Sequence, residues 1–126
     1  MAGAVNFCTA SPVEVSMDIP HNVGDFEQLV LLGVLQLGSD AYGAAIRQEI
    51  HARSGRDVSI NAVYTTLDRL EQKGLLGSWI GEPTAQRGGR RRKFYEVRPA
   101  GLAAIRQAYQ TLRAMADGLE RKLEAK

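Results

Sequence analysis

The residues with the most evident chemistry are cations. Arg87, Arg90, Arg91, Arg92 and Lys93 place five positive charges in seven residues, and Arg98 follows closely. The stretch 78–98 sets these six against Glu82 and Glu96, a local net of +4. The 126-residue chain carries a formal charge of only +2, so the remainder is about −2 and the charge is concentrated. Arginine dominates, which suits bidentate contact with phosphate or insertion into a narrow minor groove. Gly88 and Gly89 allow backbone to lie close to a phosphate without side-chain clash. The same residues also suit a solvated loop tip.

A second set lies just upstream. Asn61, Ala62 and Thr65 share one face of a helix, with Asp68, Arg69 and Gln72 further along it. Asn can pair with adenine, and Ala or Thr can touch a thymine methyl. Taken alone, this is also what the solvated face of an amphipathic helix looks like.

Catalytic chemistry has no comparable set. His21 and His51 have no Ser or Cys partner at a recognisable spacing. No Gly-rich phosphate loop follows a long apolar strand, and no metal-ligand spacing exists. The expectation is no enzyme, no metal and no cofactor. Cys8 is the one cysteine, so no disulfide framework can be drawn, and a reducing, cytoplasmic setting is the default. No apolar run approaches the ~18–20 residues that span a bilayer, and the N-terminus does not read as a signal peptide. Apolar (44%) and charged (24%) fractions are those of an ordinary globular domain.

Positioning these side chains requires a helix followed by a hairpin. Ser59 is an N-cap candidate, with Val58 and Val63 placed for a hydrophobic staple. Val63, Leu67 and Leu70 form one helical face, and Gly74 supplies a left-handed end. Leu76 to Val97 then reads as two strands, with Trp79 and Ile80 in one and Phe94, Tyr95 and Val97 in the other, around the basic tip. Upstream, a helix from about Ala41 to Ser54 carries a Tyr42, Ile46, Ile50 ladder and ends at Gly55. Helix, short turn, helix and basic hairpin together predict a winged helix-turn-helix, whose second helix enters the major groove while the wing reaches the backbone.

Two flanking helices exceed what so small a core can cover. Asp25 is read as the cap of the first, with Gln28 at capping-box spacing. Its apolar residues, Leu29 and Leu32 among them, cover nearly every side, an excess that a partner subunit could cover. The last helix starts at Pro99 and runs towards Lys126. Leu102, Ile105, Tyr109, Leu112, Ala116, Leu119 and Leu123 recur at alternating spacings of three and four, a heptad seam. Roughly 25 residues of helix extend ~37 Å, longer than such a domain is wide. Packing on the chain's own core is the alternative; a homodimer through Leu29, Leu32, Leu102, Ile105, Tyr109, Leu112, Leu119 and Leu123 is favoured. The expected fold class is mostly α with a small β-hairpin. The division is 1–24 as a flexible N-terminal arm, 25–98 as the winged helix-turn-helix and 99–126 as a C-terminal dimerisation helix.

The segments DFEQLVLLGVLQLGSDAYGAAIRQEI, AVYTTLDRLEQKGLL and RRRKFYEVRPAG, in this order, resemble the PadR family of transcriptional regulators. The resemblance covers about residues 25–126. It implies a dimeric winged-helix protein that binds double-stranded operator DNA, usually as a repressor, with its dimer built from the terminal helices. It also implies an effector pocket near the dimer interface, often for small aromatic compounds, and the subgroup with a shorter C-terminal region. By resemblance Tyr64 contacts the DNA backbone, and Arg91, Arg92 and Lys93 are the basic wing positions. The alternative for Tyr64 is a ring packed beside Leu67. The chain departs at Arg98, where many members have a Thr that caps the last helix, and at Asp68, where a basic or polar residue is common.

Phe26, Trp79 and Tyr109 are candidate contacts for a flat effector, with dimer core or wing packing as the alternative for each. The expected DNA-contacting set is Ser59, Asn61, Ala62, Tyr64, Thr65, Arg69, Arg87, Arg90, Arg91, Arg92 and Lys93. Two rivals remain from the sequence: an RNA-binding winged helix using RGGRRR, and a protein-interaction module without operator specificity.

Overall fold

The computed structural model describes residues 23–81 and 92–125. The arm (1–24, all but its last two residues) and the wing-tip arginines Arg87, Arg90 and Arg91 lie outside them. The chain runs α1 (Asp25–Leu37), a single 3-10 turn (Gly38–Asp40), α2 (Gly43–Ser54), α3 (Ile60–Gln72), β1 (Leu76–Ile80), β2 (Lys93–Val97), α4 (Pro99–Ala116) and α5 (Glu120–Glu124). The described residues form a mostly helical winged helix with one antiparallel hairpin.

The core forms where three helices and the hairpin meet. Val30, Leu31 and Val34 of α1, Ile46 and Ile50 of α2, and Val63, Leu67 and Leu70 of α3 are buried together. Leu75, Leu76 and Tyr95 close it from the wing side, and Ile105 from α4. The β1–β2 register pairs Leu76 with Val97, Ser78 with Tyr95 and Ile80 with Lys93. Side chains alternate across a strand, so Tyr95 points to the core while Phe94 pairs with Trp79 on the other face.

Three boundaries differ from the sequence expectations. The cap of α1 is Gly24, not Asp25, and the reach-back partner is Glu27, not Gln28. The Glu27 carboxylate accepts from the Gly24 N–H at 2.8 Å, while the Gln28 amide donates to the Val23 carbonyl. Helix α2 starts at Gly43, so Tyr42 caps it instead of joining the Ile46–Ile50 ladder. The cause is the hairpin: Tyr42 bridges Phe94, and the Ala41 carbonyl accepts from the Tyr95 N–H at 2.8 Å. Residues 41–42 are thus held extended, as a short third rung beside the wing.

The third difference is at the C-terminus. The long helix is present and starts at Pro99, with no side-chain cap from Arg98. It stops at Ala116, however, where Asp117 leaves the helical region and Gly118 takes φ +85°. Only glycine adopts that conformation without strain. The heptad seam is therefore interrupted, and Leu119 and Leu123 fall beyond the break.

Candidate nucleic-acid interface

Helix α3 is set by its first turn. The Ser59 hydroxyl accepts from the Ala62 N–H at 3.0 Å, satisfying one of the four free donors of a helix start. Val63, Thr66, Leu67 and Leu70 face the core. Asn61, Tyr64, Thr65, Asp68 and Arg69 are exposed on the other side, with Ala62 half-buried between them. At the far end Gly74 takes φ +80° and the Leu75 N–H returns to the Leu70 carbonyl, so the chain turns directly into β1. The turn before α3 is held by Arg47, whose Nε donates to the Val58 carbonyl at 2.6 Å and whose guanidinium lies 3.5 Å from Asp57.

Tyr64 is 45% exposed. Its ring does not enter the core beside Leu67. It lies over Gly43 at the start of α2, where an added Cβ would come within 2.4 Å of the ring. Gly43 is the space into which Tyr64 fits, so the aromatic ring ties the start of α2 to the first turns of α3.

The cations divide into two kinds. Arg69 lies 4.0 Å from Glu27, and Lys73 lies 3.0 Å from the same carboxylate. Lys73 is thus the close partner of Glu27, and Arg69, with a side chain 54% exposed, stands at the outer limit of an ion pair. Lys93 lies 3.3 Å from Glu71 and over the Tyr95 ring at 5.6 Å. Arg92 instead stacks on the ring of Tyr42, 4.3 Å from its centroid.

Phe26, Trp79 and Tyr109 are not gathered. Trp79 stacks on Phe94 with centroids 5.6 Å apart, Phe26 packs against the core from α1, and Tyr109 stands exposed on α4. None lines the groove of about 360 Å³ between α1 and α4, whose walls are Val23, Gln28, Ala104, Gln107, Ala108, Thr111 and Leu112. Ile105, expected at the interface, is 4% exposed and packs in the chain's own core. Leu32 and Leu35 on α1, and Leu102, Tyr109, Leu112 and Met115 on α4, are exposed apolar side chains. Leu119 and Leu123 are exposed beyond the break, and Leu29 is half-buried.

Residues 31–107 match the transcriptional regulator PadR-like family. The chain belongs to that family. The matched span takes in α2, α3, both wing strands and the first half of α4. The transcriptional regulator Rv3488 of Mycobacterium tuberculosis is 39% identical over 78 residues, which are 62% of this chain and 68% of that protein. A PadR family transcriptional regulator from Eggerthella lenta aligns over 79% of this chain and 84% of its own, at 31% identity and a TM-score of 0.57. A PadR family transcription regulator from Clostridium difficile shares the fold at 23% identity, with 78% and 98% covered and a TM-score of 0.62.

In this PadR-like chain, two carboxylates missed in the sequence organise the site. Burial alone would raise the Glu27 pKa, but the Gly24 N–H, Lys73 and Arg69 outweigh it and hold the carboxyl below its ordinary range. Glu71 is held low chiefly by the Ser78 hydroxyl, against some burial, with Lys93 adding to the effect. Glu71 thereby joins the last turn of α3 to both wing strands. Capping-box spacing from Gly24 could have pointed to Glu27, whereas no spacing rule flags Glu71, whose partners Ser78 and Lys93 are brought in by the fold. Among the described residues no group of three or more His, Cys, Asp or Glu could hold a metal ion, and no helix is long and apolar enough to cross a membrane.

Proposed function

We propose that this PadR-like protein is a sequence-specific DNA-binding repressor that acts as a two-fold dimer and answers to a small aromatic effector. The observation that carries the proposal is the pairing of a capped helix with a cationic hairpin. Asn61, Ala62, Tyr64 and Thr65 stand at the open end of α3, and Arg92 stands at the base of the wing whose tip holds Arg87, Arg90 and Arg91. The helix would read base edges in the major groove and the wing would follow the flanking backbone. Two copies would set their α3 helices about one turn of DNA, ~34 Å, apart.

The dimer would use the exposed apolar residues of the two flanking helices: Leu29 and Leu32 from α1, Leu102, Tyr109 and Leu112 from α4, and Leu119 and Leu123 beyond the break. Leu112 at 67% exposed is unusually open for a large apolar side chain. An aromatic effector would enter the groove between α1 and α4, completed by the second copy, and change the spacing of the two α3 helices. The residues 1–24 would remain an arm outside this arrangement.

Footprinting on the DNA upstream of the protein's own coding sequence tests the proposal. Binding should be tighter than to a random duplex or to RNA at matched salt, and log K should fall with log salt by about 0.9 per phosphate contacted. Sedimentation should give a dimer, and Leu112→Lys should weaken it. A monomeric wild type, or equal and salt-insensitive binding of upstream and random duplexes, would sink the proposal. Aromatic compounds that never alter the gel shift would remove the effector alone.

A further inference from the structure

We propose that Tyr42 is a positioning residue of the wing, pre-ordering the Arg92 guanidinium as a phosphate clamp before any DNA arrives. The inference rests on duplex DNA being the partner. It begins with the backbone. The Gly81 N–H donates to the Arg92 carbonyl at 2.7 Å, one step past the Ile80–Lys93 pair. A Cβ on Gly81 would lie 2.5 Å from the Phe94 ring, so the ring occupies the place of a side chain and the strands can close there. Arg92 is thus fixed in its main chain where the ladder ends.

Its side chain is fixed too. Tyr42 is held by its bridge to Phe94 and by its carbonyl, which accepts from the Ile46 N–H at 2.9 Å. The Tyr42 ring meets Phe94 edge-on at 5.7 Å, and Phe94 stacks on Trp79 at 5.6 Å. This aromatic array runs from the start of α2 across the wing, and Arg92 lies on its end. A guanidinium held by its face keeps its in-plane N–H donors free for bidentate bonding. The ring carries no formal charge, and among the described residues no carboxylate forms an ion pair with Arg92, so the stacking orders it without neutralising it. Lys93, the next residue, shows the contrast: it is ordered by Glu71 and its charge is offset. An ordered, un-neutralised arginine at the wing base loses less side-chain freedom when it meets a phosphate.

The test measures the affinity of the full-length protein for its upstream duplex across a salt series, with Tyr42→Leu, Tyr42→Phe, Arg92→Ala and the Tyr42→Leu/Arg92→Ala pair. Arg92→Ala should lower the salt slope by about 0.9. Tyr42→Leu should weaken binding about 2- to 5-fold with the slope retained, as expected for losing a half-exposed cation–π contact. Tyr42→Phe should behave as wild type, and Tyr42→Leu should add nothing once Arg92 is gone. In the DNA-free wild type, the Arg92 δ protons should be shifted upfield by the ring, a measurement that does not depend on any Tyr42 variant folding. An equal loss from Tyr42→Leu with and without Arg92 would make Tyr42 merely structural and overturn the proposal. So would Arg92 δ protons at their random-coil position. A wild type that binds no duplex in a salt-dependent way would overturn the DNA proposal and this one together, whereas normal wild-type binding with a silent Tyr42→Leu would overturn this one alone.

Discussion

Replacing Glu27 by Gln should loosen the end of α3 from α1. Glu27 is 7% exposed, and its carboxylate accepts from the Gly24 N–H at 2.8 Å and from Lys73 at 3.0 Å, with Arg69 at 4.0 Å. Glutamine keeps the shape and an acceptor for Gly24 but removes the charge. A hydrogen bond to a charged group contributes about 1.5–3 kcal/mol against about 0.5–1.5 for a neutral one. The side chains of Lys73 and Arg69 are 32% and 54% exposed, so both can turn to water once released. That places the loss near the low end, at about 1 kcal/mol, or roughly 3–6 °C in midpoint for a chain of this size.

The pH dependence follows from the lowered pKa of Glu27. The ionised form is favoured in the folded state, so its contribution is complete above the unfolded carboxyl pKa of about 4.3. It is lost as pH falls through the lower, folded-state value. Thermal melts of wild type and Glu27→Gln, followed by circular dichroism at one fixed protein concentration, should show a gap at neutral pH that closes in acid. Taking the difference removes Glu71, which titrates in both proteins. Coincident midpoints at pH 7, or a gap that persists unchanged into strong acid, would refute the assignment of the link to this ion cluster.

Two further outcomes are expected. Ser59→Ala should cost about 1 kcal/mol of stability by freeing the Ala62 N–H, read as a lowered urea midpoint; Ser59→Asp, which can still cap, should restore it. Burial pushes the Tyr95 phenol up to about 12, with Asp68 and Glu71 adding to the shift. Its neutral form is the one the fold favours, so its contribution holds below the unfolded pKa of about 10 and declines as pH rises towards 12. An ultraviolet titration should show a late tyrosinate step that Tyr95→Phe removes, and an unchanged titration in that variant would contradict the burial.

What could be read from the sequence was local. The Ser59 cap, the Gly55 and Gly74 helix ends and the Val63–Leu67–Leu70 face each depend on neighbours within one or two turns, and each stands where expected. The errors arose where distant residues decided. Gly24–Glu27 and Asp25–Gln28 satisfy the same capping spacing, and Lys73, 46 residues on from Glu27, favours the first by drawing the carboxylate inward. Ala41 and Tyr42 fit a helix by pattern, but the wing strand returns beside them and holds them extended. The break in the last helix was visible as Asp117-Gly118. The heptad spacing outweighed it because periodicity records which residues could share a face, not whether the backbone continues.

The same distinction governs the charges. A count of cations treats Arg69, Arg92 and Lys93 alike, yet among the described residues acids stand beside only two of them, Arg69 and Lys93. Lys93 and Glu71 have side chains 42% and 34% exposed, and ion pairs this open are worth at most about 1 kcal/mol. A phosphate can therefore compete with Glu71 for Lys93. Glu27, nearly buried and bonded to a backbone N–H as well as to Lys73, is a far poorer loser of its cations. Lys73 is thus tied to the scaffold, whereas Arg69, 54% exposed and 4.0 Å from Glu27, is as free as Lys93 to turn to another anion.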